Sequence, residues 1–590
     1  MSNVLFKIKR KLMTALRLLK AYGFGWVTRY ALSKIPLFPL KRKIHRTLTR
    51  RNSRFDLSSL DETFDINWRA KNQPFFSIVV PTFNTNVNSL RELVGSIHHQ
   101  TYRNWELLIQ DDYSTKESTI SFLEELRGLS WKVRVSRNEE NIGISKTSNS
   151  AVLRSTGNWI VFLDHDDLLH REALEEFAKI IIAEQPDYVY SDEDKISQDG
   201  RHFDRVFKPS WSPETLLDYM YVLHPVVIRK RKFLELGMYN AQFSGAQDYD
   251  LALRMIATNA KVIHVAKNLY HWRASEFSAA LKQSNKNWAN SLAHRALETH
   301  AKAYYGNDAT VERGYYDNHF RVRFQFNQWP TVSILVPTNA QRDPNTGALL
   351  LSKLIDSLSL ESYPGSVQVI VADNYNLPDG EAKALKENGV LVLNYSYKGD
   401  FNFSKKINFM SDHATGEILV FLNDDMIIRS KDWLKSLSEW AWQDKIGCVG
   451  SKLIYPDNSV QHAGVSTDSI YGTRHLFYKS RFPFKPGDYW VNVFRNSTIV
   501  TGAGMAVKRE TFQRLGGFDE KFAVDFNDSD FALRVTATGL RNLYNPYSVI
   551  EHLEGASLKR LSPDKNELQQ FLNKWKGAFS SLEVSSHNWT

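Results

Sequence analysis

The strongest constraint on this chain is that most of it occurs twice. Phe76-Ser77-Ile78-Val79-Val80-Pro81-Thr82 returns as Val332-Ser333-Ile334-Leu335-Val336-Pro337-Thr338, at an offset of 256. Thr156-Gly157, with the apolar run and Asp164-His165-Asp166 that follow, returns at 259 as Thr415-Gly416 and Asn423-Asp424-Asp425. Gln247-Asp248-Tyr249-Asp250 returns at 280 as Asn527-Asp528-Ser529-Asp530, and His271 returns at 281 as His552. Blocks kept in order at slowly growing offsets mean two copies of one module of about 230 residues. The step from 259 to 280 puts about 21 extra residues into the second copy, and residues 456–496, rich in Gly, Pro, His and aromatics, are the expected host.

Each copy reads as α/β. A short apolar strand ending in Pro-Thr is followed by a helical pattern (Leu90, Leu93, Val94, Ile97). A second strand ends at Asp111-Asp112, or Asp373-Asn374 in the second copy, and a third ends at the Asp164 or Asn423 cluster. Apolar strands alternating with helices form a mostly parallel sheet, whose ligands bind at the carboxyl ends of the strands. The acidic and polar clusters stand at those ends.

Two carboxylates at Asp-x-Asp spacing offer the oxygen ligands that Mg²⁺ or Mn²⁺ prefers. A single such pair is usually a solvated turn, but the return of an acidic cluster after the same Val-Phe-Leu strand favours a cation site. His271 and His552 are the candidate third ligands. Asp248 and Asp528 open a helix-like block, where a carboxylate serves either as a cap or as a general base. Asp250 and Asp530 are alternative caps, which leaves Asp248 and Asp528 free for chemistry.

With these motifs, the chain resembles two tandem family 2 glycosyltransferase domains of the GT-A fold. The resemblance rests on the Pro-Thr strand, Asp112 in Gln-Asp-Asp-Tyr-Ser, Asn141-Ile142-Gly143, Asp164-His165-Asp166, Gln247-Asp248-Tyr249-Asp250 and Tyr270-His271-Trp272-Arg273. The second copy, with Phe401-Asn402-Phe403-Ser404, Thr501-Gly502-Ala503 and Gly516-Gly517-Phe518-Asp519, resembles bacterial polysaccharide rhamnosyltransferase-like enzymes. The resemblance implies that Pro81, Thr82, Asn84 and Asp112 line a nucleotide pocket, with Pro337, Thr338 and Asp373 as equivalents. It implies that Asp164, Asp166 and His271, and in the second copy Asp425 and His552, hold Mg²⁺ or Mn²⁺ on a donor diphosphate. Asp248 and Asp528 become the catalytic bases. Asn423, in place of the first carboxylate, departs from the family pattern. The implied activity is inverting transfer from a UDP- or dTDP-sugar to a growing, lipid-linked bacterial surface glycan such as O-antigen or capsule. The alternative is that one module, the first, catalyses while the other binds glycan or nucleotide.

Charge separates one further segment. The chain of 590 residues has a net charge of +10, yet residues 1–54 hold 7 Lys, 8 Arg and no acidic residue. The remainder is therefore mildly acidic, which argues against nucleic-acid binding by the folded body. Leu5, Ile8, Leu12, Leu16 and Leu19 recur at helical spacing among these cations, with Trp26 and Tyr30 beyond. Such a segment suits an anionic membrane surface, and the expected location is cytoplasmic, peripheral on the inner face of the cytoplasmic membrane. A solvated helix packed on the body is the plainer alternative. The single cysteine, Cys448, rules out an intrachain disulfide. No apolar run reaches the ~18 residues of a membrane span, and processive synthases are disfavoured for the same reason. The expected layout is a basic amphipathic segment (1–72), a first domain (73–283), a helical linker (284–328), a second domain (329–562) and a helical tail (563–590).

Overall fold

In the first module, strands β1 (Phe76–Thr82), β2 (Trp105–Asp111), β3 (Val133–Arg137), β4 (Trp159–Phe162), β5 (Leu168–Leu169), β6 (Tyr188–Ile196), β7 (His202–Val206), β8 (Val226–Arg229) and β9 (Val262–Arg273) make one sheet. Its order is β3-β2-β1-β4-β8-β6-β9-β5, with β7 added to β6. A hairpin of β10 (Ala309–Arg313) and β11 (Phe320–Phe324) follows. The second sheet uses β12 (Val332–Pro337), β13 (Val367–Asp373), β14 (Leu391–Asn394), β15 (Ile418–Phe421), β16 (Met426–Ile428), β17 (Ile446–Ile454), β18 (Val460–His462), β21 (Arg495–Asn496), β22 (Met505–Lys508) and β23 (Arg541–His552). A separate ribbon pairs β19 (Val465–Asp468) with β20 (Gly472–His475). The second sheet runs β14-β13-β12-β15-β22-β17-β23-β16, which repeats the first strand for strand. The computed structural model describes residues 73–197, 199–274, 283–344, 346–396, 400–482, 488–553 and 563–586. The basic segment 1–54 lies outside them.

The central strands are buried on both faces, as their continuous Val/Ile/Leu runs require. β1 lies parallel to β2 and β4, and β8 runs antiparallel to β4, pairing Val226 with Phe162. The carboxyl ends of β2, β1 and β4 therefore meet the amino end of β8 on one sheet edge, and β13, β12, β15 and β22 repeat this. The repeated Thr-Gly signature has a packing cause. A Cβ on Gly157 would lie 2.6 Å from the Phe75 carbonyl oxygen, and Gly157 N donates to Ser77 Oγ at 2.8 Å. Gly416 N makes the same 2.8 Å bond to Ser333 Oγ.

The linker contains the expected helix, Gln283–Tyr305, and then the β10–β11 hairpin, which the sequence pattern did not announce. Arg323 of that hairpin forks onto buried Glu439 of the second module at 2.8 and 2.9 Å. Buried Glu214 of the first module receives Arg541 Nε at 2.9 Å and Asn496 Nδ2 at 2.6 Å. Asp218 accepts from Phe494 N at 2.9 Å and from His319 Nδ1 at 2.8 Å. One apolar core runs through both modules and the linker. The extra residues of the second copy lie between β17 and β22, where β18 to β21 form, and the tail helix Lys565–Ser586 packs Phe571 against Phe522 and Phe526. No helix of the described residues is long and apolar enough to cross a membrane.

Candidate active sites

On the shared sheet edge, Pro81 and Pro337 are buried in their strands; Thr82 ends β1, and Thr338 directly follows β12. Thr82 Oγ1 has no hydrogen-bond partner, whereas Thr338 Oγ1 donates to Asp424 Oδ2 at 2.6 Å. Asn84, at φ 50°, pins one loop to another: its Oδ1 accepts from Thr115 N and Lys116 N, both at 2.8 Å. Asp112 is buried and accepts from Ile142 N at 2.8 Å, Asn138 Nδ2 at 2.8 Å and Gly143 N at 2.9 Å. This explains the Asn-Ile-Gly motif: the turn it forms turns its amides onto Asp112. A carboxylate offers about four acceptor positions, so one is left for a ligand N–H.

Asp373 is not the counterpart of Asp112. It ends β13 as Asp111 ends β2, and each accepts from the backbone amide three residues on, Asn376 at 2.8 Å and Ser114 at 3.1 Å. A tyrosine of positive φ follows two residues later in both, Tyr113 at 65° and Tyr375 at 64°. Asn374 therefore occupies the place of Asp112, and its Oδ1 accepts from Lys406 Nζ at 3.0 Å. Burial lowers the pKa of Lys406 to about 8. The modules thus present different groups to the expected nucleotide base, an acid in the first and an amide backed by an amine in the second.

In the first module, Asp248 opens the helix Gln247–Ile256. Its Oδ1 accepts from Tyr239 Oη at 2.5 Å and its Oδ2 from Gln247 Nε2 at 3.0 Å. His224, just before β8, lies between two acids: Nε2 is 3.9 Å from Asp248 Oδ2 and Nδ1 is 3.8 Å from Asp164 Oδ2. Burial raises the Asp248 pKa and nearby Asp164 adds to it, against the lowering effect of His224, Tyr239 and Gln247. Burial works to lower the His224 pKa, but Asp164 and Asp248 outweigh it and raise the group above its ordinary value. Sequence reasoning missed His224 because it is not repeated: Ala503 holds the same place before β22. Asp250 and Asp530 are not caps. They pair with Arg254 at 2.6 Å and Arg534 at 2.8 Å, which in turn grip the backbone carbonyls of Met238 and Gly517.

In the second module, Asp528 accepts from Gly502 N at 2.7 Å and Thr501 Oγ1 at 3.0 Å. His552 Nε2 is 3.0 Å from Asp425 Oδ1, and His552 Nδ1 bonds Gln461 Oε1 at 2.9 Å. His271 is not placed in the same way. His552 stands opposite Met426, the residue after Asp425, whereas His271 stands opposite Leu168, two residues after Asp166. One step along a strand reverses the face, so His271 turns to Asp194 at 2.6 Å and does not gather with Asp164 and Asp166. Glu551 is its register equivalent.

The first module matches the model of glycosyl transferase family 2 over residues 77–235, and the second that of glycosyltransferase like family 2 over residues 330–566. The chain belongs to the family 2 glycosyltransferases. An uncharacterized protein of Sinorhizobium fredii, y4gI, is 34% identical over 531 residues, covering 86% of this chain and 57% of that protein. The O-antigen biosynthesis protein RfbC of Myxococcus xanthus is 32% identical over 495 residues, covering 83% of this chain and 38% of that protein. The amylovoran biosynthesis glycosyltransferase AmsB of Erwinia amylovora is 25% identical over 211 residues, covering 33% of this chain and 69% of that protein. The chain spans about half the length of the first two relatives.

Both family 2 domains carry residues that could hold a divalent cation, by different donor sets. Asp164 and Asp166 would offer carboxylate oxygens, the donors a hard cation prefers. In the second domain Asp425 and His552 would offer one oxygen and one imidazole nitrogen. With a proton on Nδ1 bonded to Gln461 Oε1, Nε2 would be left as the donor atom, the usual arrangement of a metal-binding histidine.

Proposed function

We propose that each module transfers a sugar from a UDP- or dTDP-sugar to a hydroxyl of a growing bacterial surface polysaccharide, inverting the anomeric carbon. The observation that carries this reading is the Asp248 site: a half-buried carboxylate at the ligand-binding edge, linked through His224 to Asp164 after β4. Asp528 repeats the position. The names of RfbC and AmsB support a polysaccharide acceptor. Asp248 accepts the acceptor hydroxyl's proton as that oxygen attacks. Tyr239 and Gln247 hold the carboxylate in one rotamer, so that one oxygen edge stays open to the acceptor. Asp112 and Thr82 bind the nucleotide end and fix the donor against that oxygen. Asp164 and Asp166, or Asp425 with His552, would hold a divalent cation, whose charge would offset that of the departing diphosphate. A single protein carboxylate suffices per module, because the diphosphate leaves without protonation.

Asp248→Asn and Asp528→Asn, assayed separately for each sugar added, test the reading. Each is expected to lower one transfer step by about a hundred- to ten-thousand-fold while sparing the other. If Asp528→Asn leaves every step intact, the second module binds and does not catalyse, a reading favoured by Asn423 and Ala503. We also infer that residues 1–54 hold the protein on an anionic membrane beside a lipid-linked acceptor, at the cytoplasmic face. Deleting them should move the protein from the membrane to the soluble fraction, and unchanged sedimentation with membranes would overturn that placement.

A further inference from the structure

We propose that the first module carries a second cation site, formed by Asp194, His202 and His271, which takes zinc or a similar transition-metal ion. One ligand atom from each of these residues lies within 4.8 Å of the others. His271 Nδ1 is 2.6 Å and His202 Nδ1 3.0 Å from the Asp194 carboxylate. Each residue comes from a different strand, Asp194 from β6, His202 from the edge strand β7 and His271 from β9. His170, after β5, packs its ring edge-on against that of His271 at 5.8 Å and stands outside the ligand group. Two imidazoles with one carboxylate is a nitrogen-rich set, which suits Zn²⁺ and not the all-oxygen preference of Mg²⁺.

Two further observations support a built site. Asn268 Nδ2 donates to Asp194 Oδ2 at 2.6 Å, orienting the carboxylate as an outer partner does in metal centres. The duplication supplies a control. In the second module, the places of His170 and His271 are taken by Arg429 and Glu551, which form an ion pair with each other. There a guanidinium supplies the positive charge; in the first module imidazoles surround the acid and a metal cation supplies it. Among the described residues, no hydrogen bond or ion pair joins this cluster to Asp164 or Asp166, so it is separate from the donor-side carboxylates. A bound ion would cross-link the edge strand β7 to β6 and β9.

The test uses the full-length protein, stripped with chelator and titrated with ZnCl₂, and with CoCl₂ for its visible ligand-field bands. One zinc equivalent is expected to survive gel filtration in the wild type and in Asp164→Asn/Asp425→Asn. His202→Ala and His271→Gln are each expected to weaken it about tenfold or more, and to abolish the tetrahedral cobalt bands. His202 is exposed, so His202→Ala keeps the fold, which circular dichroism checks. No retained zinc in the wild type, or retention unchanged in the His202/His271 double variant, overturns the proposal.

Discussion

At the scale of single residues, the duplicated aspartates show that the same side chain can be given different chemistry by its neighbours. Asp248 is held by a tyrosine hydroxyl and faces a histidine; Asp528 is held by a backbone amide and a threonine. The Tyr239 hydroxyl favours the charged form of Asp248, and burial opposes it, so the carboxyl already titrates above its ordinary range. A general base must be ionised to act, so the acidic limb of first-module kcat/KM should lie above the ordinary carboxylate range. Tyr239→Phe should move that limb further up, with little loss at its alkaline plateau. A pH profile in the Asp528→Asn background measures this, and a limb that stays in place would remove Asp248 as the titrating base. Asp248 and Asp528 were legible in sequence because they recur. His224 was not, because nothing marks an unrepeated histidine until β8 is seen beside β4. The pairing of His271 with His552, and of Asp112 with Asp373, misled because a one-residue slip preserves residue identity while reversing a strand face or shifting a strand end.

At the scale of elements, the apolar strands and their acidic ends were predictable because burial on both faces demands continuous runs of Val, Ile and Leu. The Thr-Gly steps before β4 and β15 recur because the backbone of the neighbouring strand leaves no room for a Cβ. Gly157→Ala should therefore destabilise the protein by about 1–3 kcal/mol, the range for overpacking. A lower denaturant midpoint at unchanged slope would show it, and an unchanged midpoint would show that the strand edge yields. The β10–β11 hairpin escaped notice for a physical reason. Arg321 and Arg323 interrupt its apolar pattern, because the strand is buried against acids, Asp432 and Glu439, as well as against a core.

At the scale of the whole molecule, the two modules are not independent beads. Glu214, Asp218 and the hairpin tie them together through charged and backbone hydrogen bonds, and one apolar core passes through both. Calorimetry should show one cooperative transition for this body, and two separated transitions would contradict the shared core. Glu214→Gln should lower its stability by about 1–3 kcal/mol, less than for a fully buried pair, because Arg541 is 30% exposed. By itself the sequence determined the duplication, the α/β class, the strand-end carboxylates and the two candidate bases. All of these follow from local periodicity and from repetition, which a linear chain displays directly. The antiparallel strands that make the sheets mixed were not legible in the sequence. Only the tertiary structure decided which aspartate meets which histidine, that His271 belongs with Asp194 and His202, and that the modules share a core. Those depend on strand register and on contacts between residues hundreds of positions apart, where a shift of one residue exchanges the faces of a sheet and leaves the sequence motif unchanged.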